Sequence, residues 1–138
     1  MSAWVHVAAI VRIDGFPMED EEKFLDDLFG KECLWGAEHE VWEDALAFPE
    51  KYLPMGSEGT LQKTVWINPK DSNMDRYTVS IFGDLRDVWS GEWIIKWFKD
   101  KLKADVWVRQ ATITVDCEVG DILTWTYGKD DDTSESEE

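Results

Sequence analysis

His6 and His39 are the two histidines of a 138-residue chain that carries 30 acidic and 14 basic side chains. Imidazole is the side chain best suited to proton transfer near neutrality, so these two positions come first. Neither has a nucleophile in a recognisable setting. Ser57 and Ser90 lack the strand–turn–helix context of a nucleophile elbow. Carboxylates are plentiful, but nothing singles out an acid–base pair. The stretch GAEHEVWED gathers Glu38, His39, Glu40, Glu43 and Asp44. A helical zinc-protease motif needs a second His four residues after the first, and position 43 is Glu. Cys33 and His39 would need further ligands from elsewhere to hold a metal, and EF-hand spacing is missing. The expectation is a surface histidine among acids, no metal, no cofactor and no enzymatic activity.

Three other groupings suit binding. The loop PMGSEGTLQ offers Gly56 and Gly59 for backbone freedom and Ser57 as a donor, so with Arg86 or Arg109 it could hold a phosphate. No Walker lysine follows and the Rossmann glycine pattern is absent, so a plain turn entering a strand competes with that reading. Trp4, His6, Arg12, Trp66 and Arg109 fall where they could share one face of a sheet. Aromatic and arginine side chains on such a face stack bases in some RNA-binding modules, but no RNP pattern is present. The tryptophans are expected to fill a core or a protein interface.

The third grouping is acidic. Residues 14–32, DGFPMEDEEKFLDDLFGKE, hold eight acids against two lysines. Carboxylates at regular spacing on a rigid helix can imitate a phosphate backbone and occupy a basic groove. A solvated helix face is the plainer account of the same charges. The candidate contacts for a basic partner are Glu19, Glu22, Asp26 and Asp27, joined by Glu38, Glu40, Glu43 and Asp44.

These groups need elements to position them. AWVHVAAIVRI alternates with period two and reads as a strand. In MEDEEKFLDDLFGK, Phe24, Leu25, Leu28 and Phe29 recur at helical spacing, and Gly30 is placed to stop the helix. Residues 33–59 show mixed helix and strand character, ending in a Pro/Gly loop. Trp35, Val41, Trp42, Leu46 and Phe48 are expected to be buried there. TLQKTVWI and RYTVSIFG read as a hairpin around the turn NPKDSN. A second helix follows, with Ser90 as its cap and Trp93, Ile94, Trp97, Phe98 and Leu102 facing inward. DVWVRQATITVDCE and DILTWTYG are two final strands.

The order predicts an α+β fold of ferredoxin-like plan, β-α-β-β-α-β, with an irregular insert after the first helix and an extra C-terminal strand. Both helices would cover one face of an antiparallel sheet and leave the other open. One domain is expected over residues 1–128. The tail at 129–138, KDDDTSESEE, has no apolar residue and is expected to be disordered.

The net charge is −16, and it is uneven. Residues 14–50 hold 13 acids and two lysines, and residues 129–138 six acids and one lysine, while the rest balances. Such a field repels nucleic acid and attracts basic proteins. No apolar run is long enough to span a membrane. The N-terminal alternation reads as a strand rather than a leader, so a cytoplasmic location is expected. Cys33 and Cys117 are expected to be free thiols.

The stretches YLPMGSEGTLQ, YTVSIFGDLRDV and VRQATITVD resemble segments of small uncharacterised bacteriophage and prophage proteins, over most of residues 3–127. That resemblance implies a phage setting, in which small acidic proteins often antagonise host defence, and carries no residue roles. The leading expectation is a non-enzymatic acidic binding protein that inhibits a basic host protein by charge mimicry. The alternatives are a binder or sponge for a nucleotide signal, and a virion or assembly component whose open sheet face is buried between copies.

Overall fold

The computed structural model describes residues 3–15, 21–33, 39–68, 75–103 and 107–128. Among these residues five strands form one antiparallel sheet: β1 (Trp4–Gly15), β2 (Gln62–Asn68), β3 (Asp75–Arg86), β4 (Trp107–Cys117) and β5 (Ile122–Thr126). Their order across the sheet is β2-β3-β1-β4-β5. Among the described residues three α-helices accompany them: α1 (Glu21–Phe29), α2 (His39–Ala47) and α3 (Glu92–Lys101).

Alternation in the strands decides the layers. Val5, Val7, Ala9, Val11 and Ile13 of β1 are buried, as are Tyr77, Val79, Ile81 and Leu85 of β3 and Ala111, Ile113, Val115 and Cys117 of β4. Leu25, Leu28 and Phe29 of α1 and Ile94, Phe98 and Leu102 at α3 join the same core. Phe24 tilts onto Tyr77 at 6.1 Å between ring centroids, and Phe98 meets Trp125 edge-on at 5.9 Å. Both helices therefore cover one face of the sheet.

The helix ends follow local chemistry. Gly30 takes φ 115° just after α1, and a Cβ there would come within 2.6 Å of the Tyr52 carbonyl carbon. Only glycine meets both demands. At α3 the N-cap position is Gly91, while Ser90 Oγ accepts the Glu92 amide at 3.3 Å.

Three expectations need correction. Trp93 is not inward: it is 44% exposed, because Ile94, Phe98 and Leu102 already fill the width of the stripe that reaches the sheet. Nor is the insert wholly irregular, since residues 39–47 are helical. Val41, Leu46 and Phe48 are exposed there rather than buried. Helix α2 packs against the 3₁₀ turn at Pro49–Lys51. Its apolar contacts are a small separate cluster of Cys33, Ala45 and Tyr52, with Trp42 and Met55 half-buried against it. Trp35, the turn around residues 69–74 and the acidic tail lie outside the described residues. Cys33 and Cys117 are buried free thiols in different clusters. Among the described residues no helix is long and apolar enough to cross a membrane.

Candidate functional site

The face of the sheet opposite α1 and α3 carries the even-numbered side chains of β1 and their cross-strand neighbours. Two adjacent rows can be read from the ladders. One runs Trp66, Thr78, Arg12, Gln110 across β2, β3, β1 and β4. The next runs Arg76, Asp14, Trp107 across β3, β1 and β4. The pairing of β1 with β4 shifts between Arg12 and Ile13, because Arg12 pairs with Gln110 and Ile13 with Val108. Arg109 is the extra residue. Such a bulge re-aims a side chain, and the Arg109 Nε lies 3.4 Å from Asp14 Oδ2.

Three of the chain's four arginines thus converge at one place. Arg12, Arg76 and Arg109, with Trp66, Thr78 and Gln110, line a shallow cleft of about 550 Å³. Asp14, largely buried, is held between Arg76 at 3.3 Å and Arg109. Arg12 donates to the Gln110 side chain and has no carboxylate partner among the described residues. Among the described side chains, three guanidinium charges stand against one carboxylate here, on a molecule of net charge −16. Trp66 is 59% exposed at one end, and Trp107, 56% exposed, stands beside Asp14 at the other. The two tryptophans are three strand spacings apart across the sheet and one row apart along it, about 16 Å in all.

Chemically, guanidinium forks suit phosphate or carboxylate oxygens. An exposed indole offers a stacking surface for a planar ring. Thr78 and Gln110 add donors and acceptors for the edges of such a ring. Of the sequence candidates for the sheet face, Trp4, His6, Arg12 and Trp66 do share it, and Arg12, Trp66 and Arg109 share the cleft itself. Sequence reasoning missed Asp14, Arg76, Thr78, Gln110 and Trp107.

The loop at residues 55–60 lies far along β3 from this cleft, beside Arg86. Two of its amides are already engaged: Gly56 N donates to Gly59 O and Ser57 N to Arg86 O. Ser57 Oγ donates to Asp87 at 2.6 Å, and Arg86 pairs with Glu58 at 2.7 Å. A Cβ on Gly56 or Gly59 would run into the backbone of Arg86 or Asp84. These glycines permit close strand-to-loop packing, and Arg109 is not part of the group.

Helix α1 and helix α2 carry the acidic candidates. Asp26 is paired with Lys63, which also donates to Gly30 O. Asp27 pairs with Lys23 at 2.8 Å. Asp44 accepts from the Tyr52 hydroxyl at 2.7 Å, which pushes the Tyr52 pKa up to about 12. Glu22, Glu40 and Glu43 are exposed. Glu19 and Glu38 lie outside the described residues, as does the side chain of His39. Among the described residues no group of three His, Cys, Asp or Glu is placed to hold a metal.

His6 sits at the far end of the open face. Its Nδ1 lies 2.7 Å from Asp84 and its Nε2 2.7 Å from Glu118. Two carboxylate partners favour the doubly protonated ring, so its pKa is raised, mainly by the hydrogen bonds to Asp84 and then Glu118. Comparison with family models, curated proteins and solved structures gives no match.

Proposed function

We propose that this chain is a non-enzymatic binding protein whose open sheet face takes a small anionic ligand with a planar ring, of which a nucleotide is the natural example. The observation that carries this reading is the convergence of Arg12, Arg76 and Arg109 beside the exposed Trp66. The arginines would hold phosphate oxygens and Trp66 would stack the base. The acidic remainder of the molecule favours a ligand small enough to stay within the cleft. A long polyanion leaving it would meet repulsion. The volume of about 550 Å³ suits such a molecule. This replaces the residue set Gly56, Ser57, Gly59, Arg86 and Arg109 for the same class of ligand. The test is thermal unfolding across a panel of mononucleotides, nucleosides and orthophosphate. A ligand at one hundred times its Kd adds about 2.7 kcal/mol of stability. Stabilisation by mononucleotides above both fragments supports the reading, and an unmoved midpoint across the panel rejects it.

The fold reading that accompanies this proposal is the ferredoxin-like plan, with α2 and the 3₁₀ turn as the insert and β5 as the added edge strand. The sheet order β2-β3-β1-β4-β5 supports it once those additions are set aside.

A second reading keeps the acidic surface as a contact for a basic host protein, in the phage setting that the resemblance implies. It is supported by Glu22, Asp26 and Glu32, which line a groove of about 400 Å³ between α1 and β2. Salt-sensitive capture of a basic protein, lost on reversing Glu22 and its neighbours, tests it.

A further inference from the structure

β2 is an edge strand of the sheet. The direction of its backbone groups follows from two contacts. Leu61 N donates to Pro54 O, and Lys63 N donates to the Glu32 carboxylate at 2.9 Å. Odd-numbered positions therefore point their amides away from β3. In an antiparallel strand the N–H and C=O of one residue point to the same side, so the next two outward positions are Val65 and Ile67. Among the described residues their outward groups have no partner.

Edge strands usually guard such groups with a projecting lysine. Here Lys63 is folded back, its side chain only 9% exposed, onto Asp26 and Gly30 O. The open backbone row runs along a groove with an apolar floor of Leu25, Val65 and Ile67 and acidic walls from Glu22 and Glu32. On the other face of the same strand stands Trp66.

We propose that this edge accepts an extended basic segment of another protein, which adds antiparallel to β2 as a sixth strand. The proposal rests on the second reading above and gives its partner a shape. Alternate side chains of the incoming strand would be basic and face Glu22 and Glu32. The intervening ones would be apolar and pack beside Trp66. Main-chain hydrogen bonds at Val65 and Ile67 would hold the register.

The test uses the full chain and a seven-residue peptide of alternating Lys and Val with blocked ends. In the antiparallel pairing the lysine amides face β2 and the valine amides face away. One methylated form therefore carries N-methyl groups on the lysines and a second carries them on the valines. The expected result is salt-sensitive binding of the unmodified peptide, with slowed amide exchange at Val65 and Ile67. Lysine methylation is expected to weaken binding at least about tenfold and valine methylation to change it little. A Val65→Pro variant, which removes an outward amide that an edge strand can spare, is expected to bind at least about tenfold more weakly. If both methylated forms bind as well as the parent, the contact is charge alone: the strand pairing is overturned while the acidic-surface reading stands. If no peptide binds, the pairing is overturned. The acidic-surface reading is then tested separately by the salt-sensitive capture described above.

Discussion

The guanidinium of Arg76 on β3 lies 3.3 Å from the carboxylate of Asp14, its register partner on β1. That pair fixes the floor of the cleft. Asp14 holds Arg76 and Arg109 in place without neutralising the group, because Arg12 is satisfied by an amide instead. Replacing Arg12 or Arg109 with Ala should weaken mononucleotide binding by about tenfold or more, since hydrogen bonds to charged groups contribute about 1.5–3 kcal/mol each. Both are surface positions, so the unfolding midpoint of the free protein should hardly move. Calorimetric titration of each variant checks this. Unchanged affinity would place the ligand elsewhere.

Trp66 should behave differently from the arginines. Trp66→Ala removes a stacking surface, with an expected loss of about 1–3 kcal/mol for a nucleotide. Orthophosphate, which has no ring to stack, should bind the variant as it binds the parent. Parallel titrations with the two ligands separate stacking from charge.

Phe98 and Trp93 lie on one helix and should differ sharply. Phe98 is fully buried against Trp125, and Phe98→Ala should cost about 3–5 kcal/mol. Trp93 is 44% exposed, and Trp93→Ala should cost well under half of that. Urea unfolding of the two variants checks the correction to the inward face of α3.

His6 gives the fold a pH dependence. It faces Asp84 from β3 and Glu118 beyond the end of β4, with Asp116 as its register neighbour on β4. Its folded pKa is raised above 6.5, so its contribution is fully present below about pH 6.5 and is lost as pH rises through the folded value. The ring is 42% exposed, which limits the effect to about 1 kcal/mol or less. His6→Gln should flatten the stability profile above pH 6.5 and leave it unaltered in shape far above the folded pKa. Chemical unfolding at a series of pH values reads this directly.

The layers were legible in the sequence wherever period and chemistry agreed. Alternation in β1 puts Val5, Val7, Val11 and Ile13 on one face, which is the buried one, and the helical stripe of α1 buries Leu25, Leu28 and Phe29 with them. The same parity put Arg12 and Trp66 on the open face. The cleft as a whole was not legible, for two physical reasons. Which residues of β2, β3 and β4 stand beside Arg12 depends on register, and a one-residue slip would face them the other way. Arg109 reaches Asp14 through a bulge that alternation does not announce. The insert misled differently. Val41, Leu46 and Phe48 are apolar, but α2 has little surface to bury them against, so apolarity alone gave the wrong side.

The central claim is that the open sheet face binds a small phosphorylated planar ligand between the arginines and Trp66. The most direct measurement is a titration of the intact protein with a mononucleotide, following the side-chain resonances of all nine tryptophans and four arginines by NMR. The account predicts saturable shifts at Trp66, Arg12, Arg76 and Arg109, with Arg86 and Trp93 unmoved. Shifts confined to Arg86 and the loop at residues 55–60, or no saturable shift at all, would contradict it.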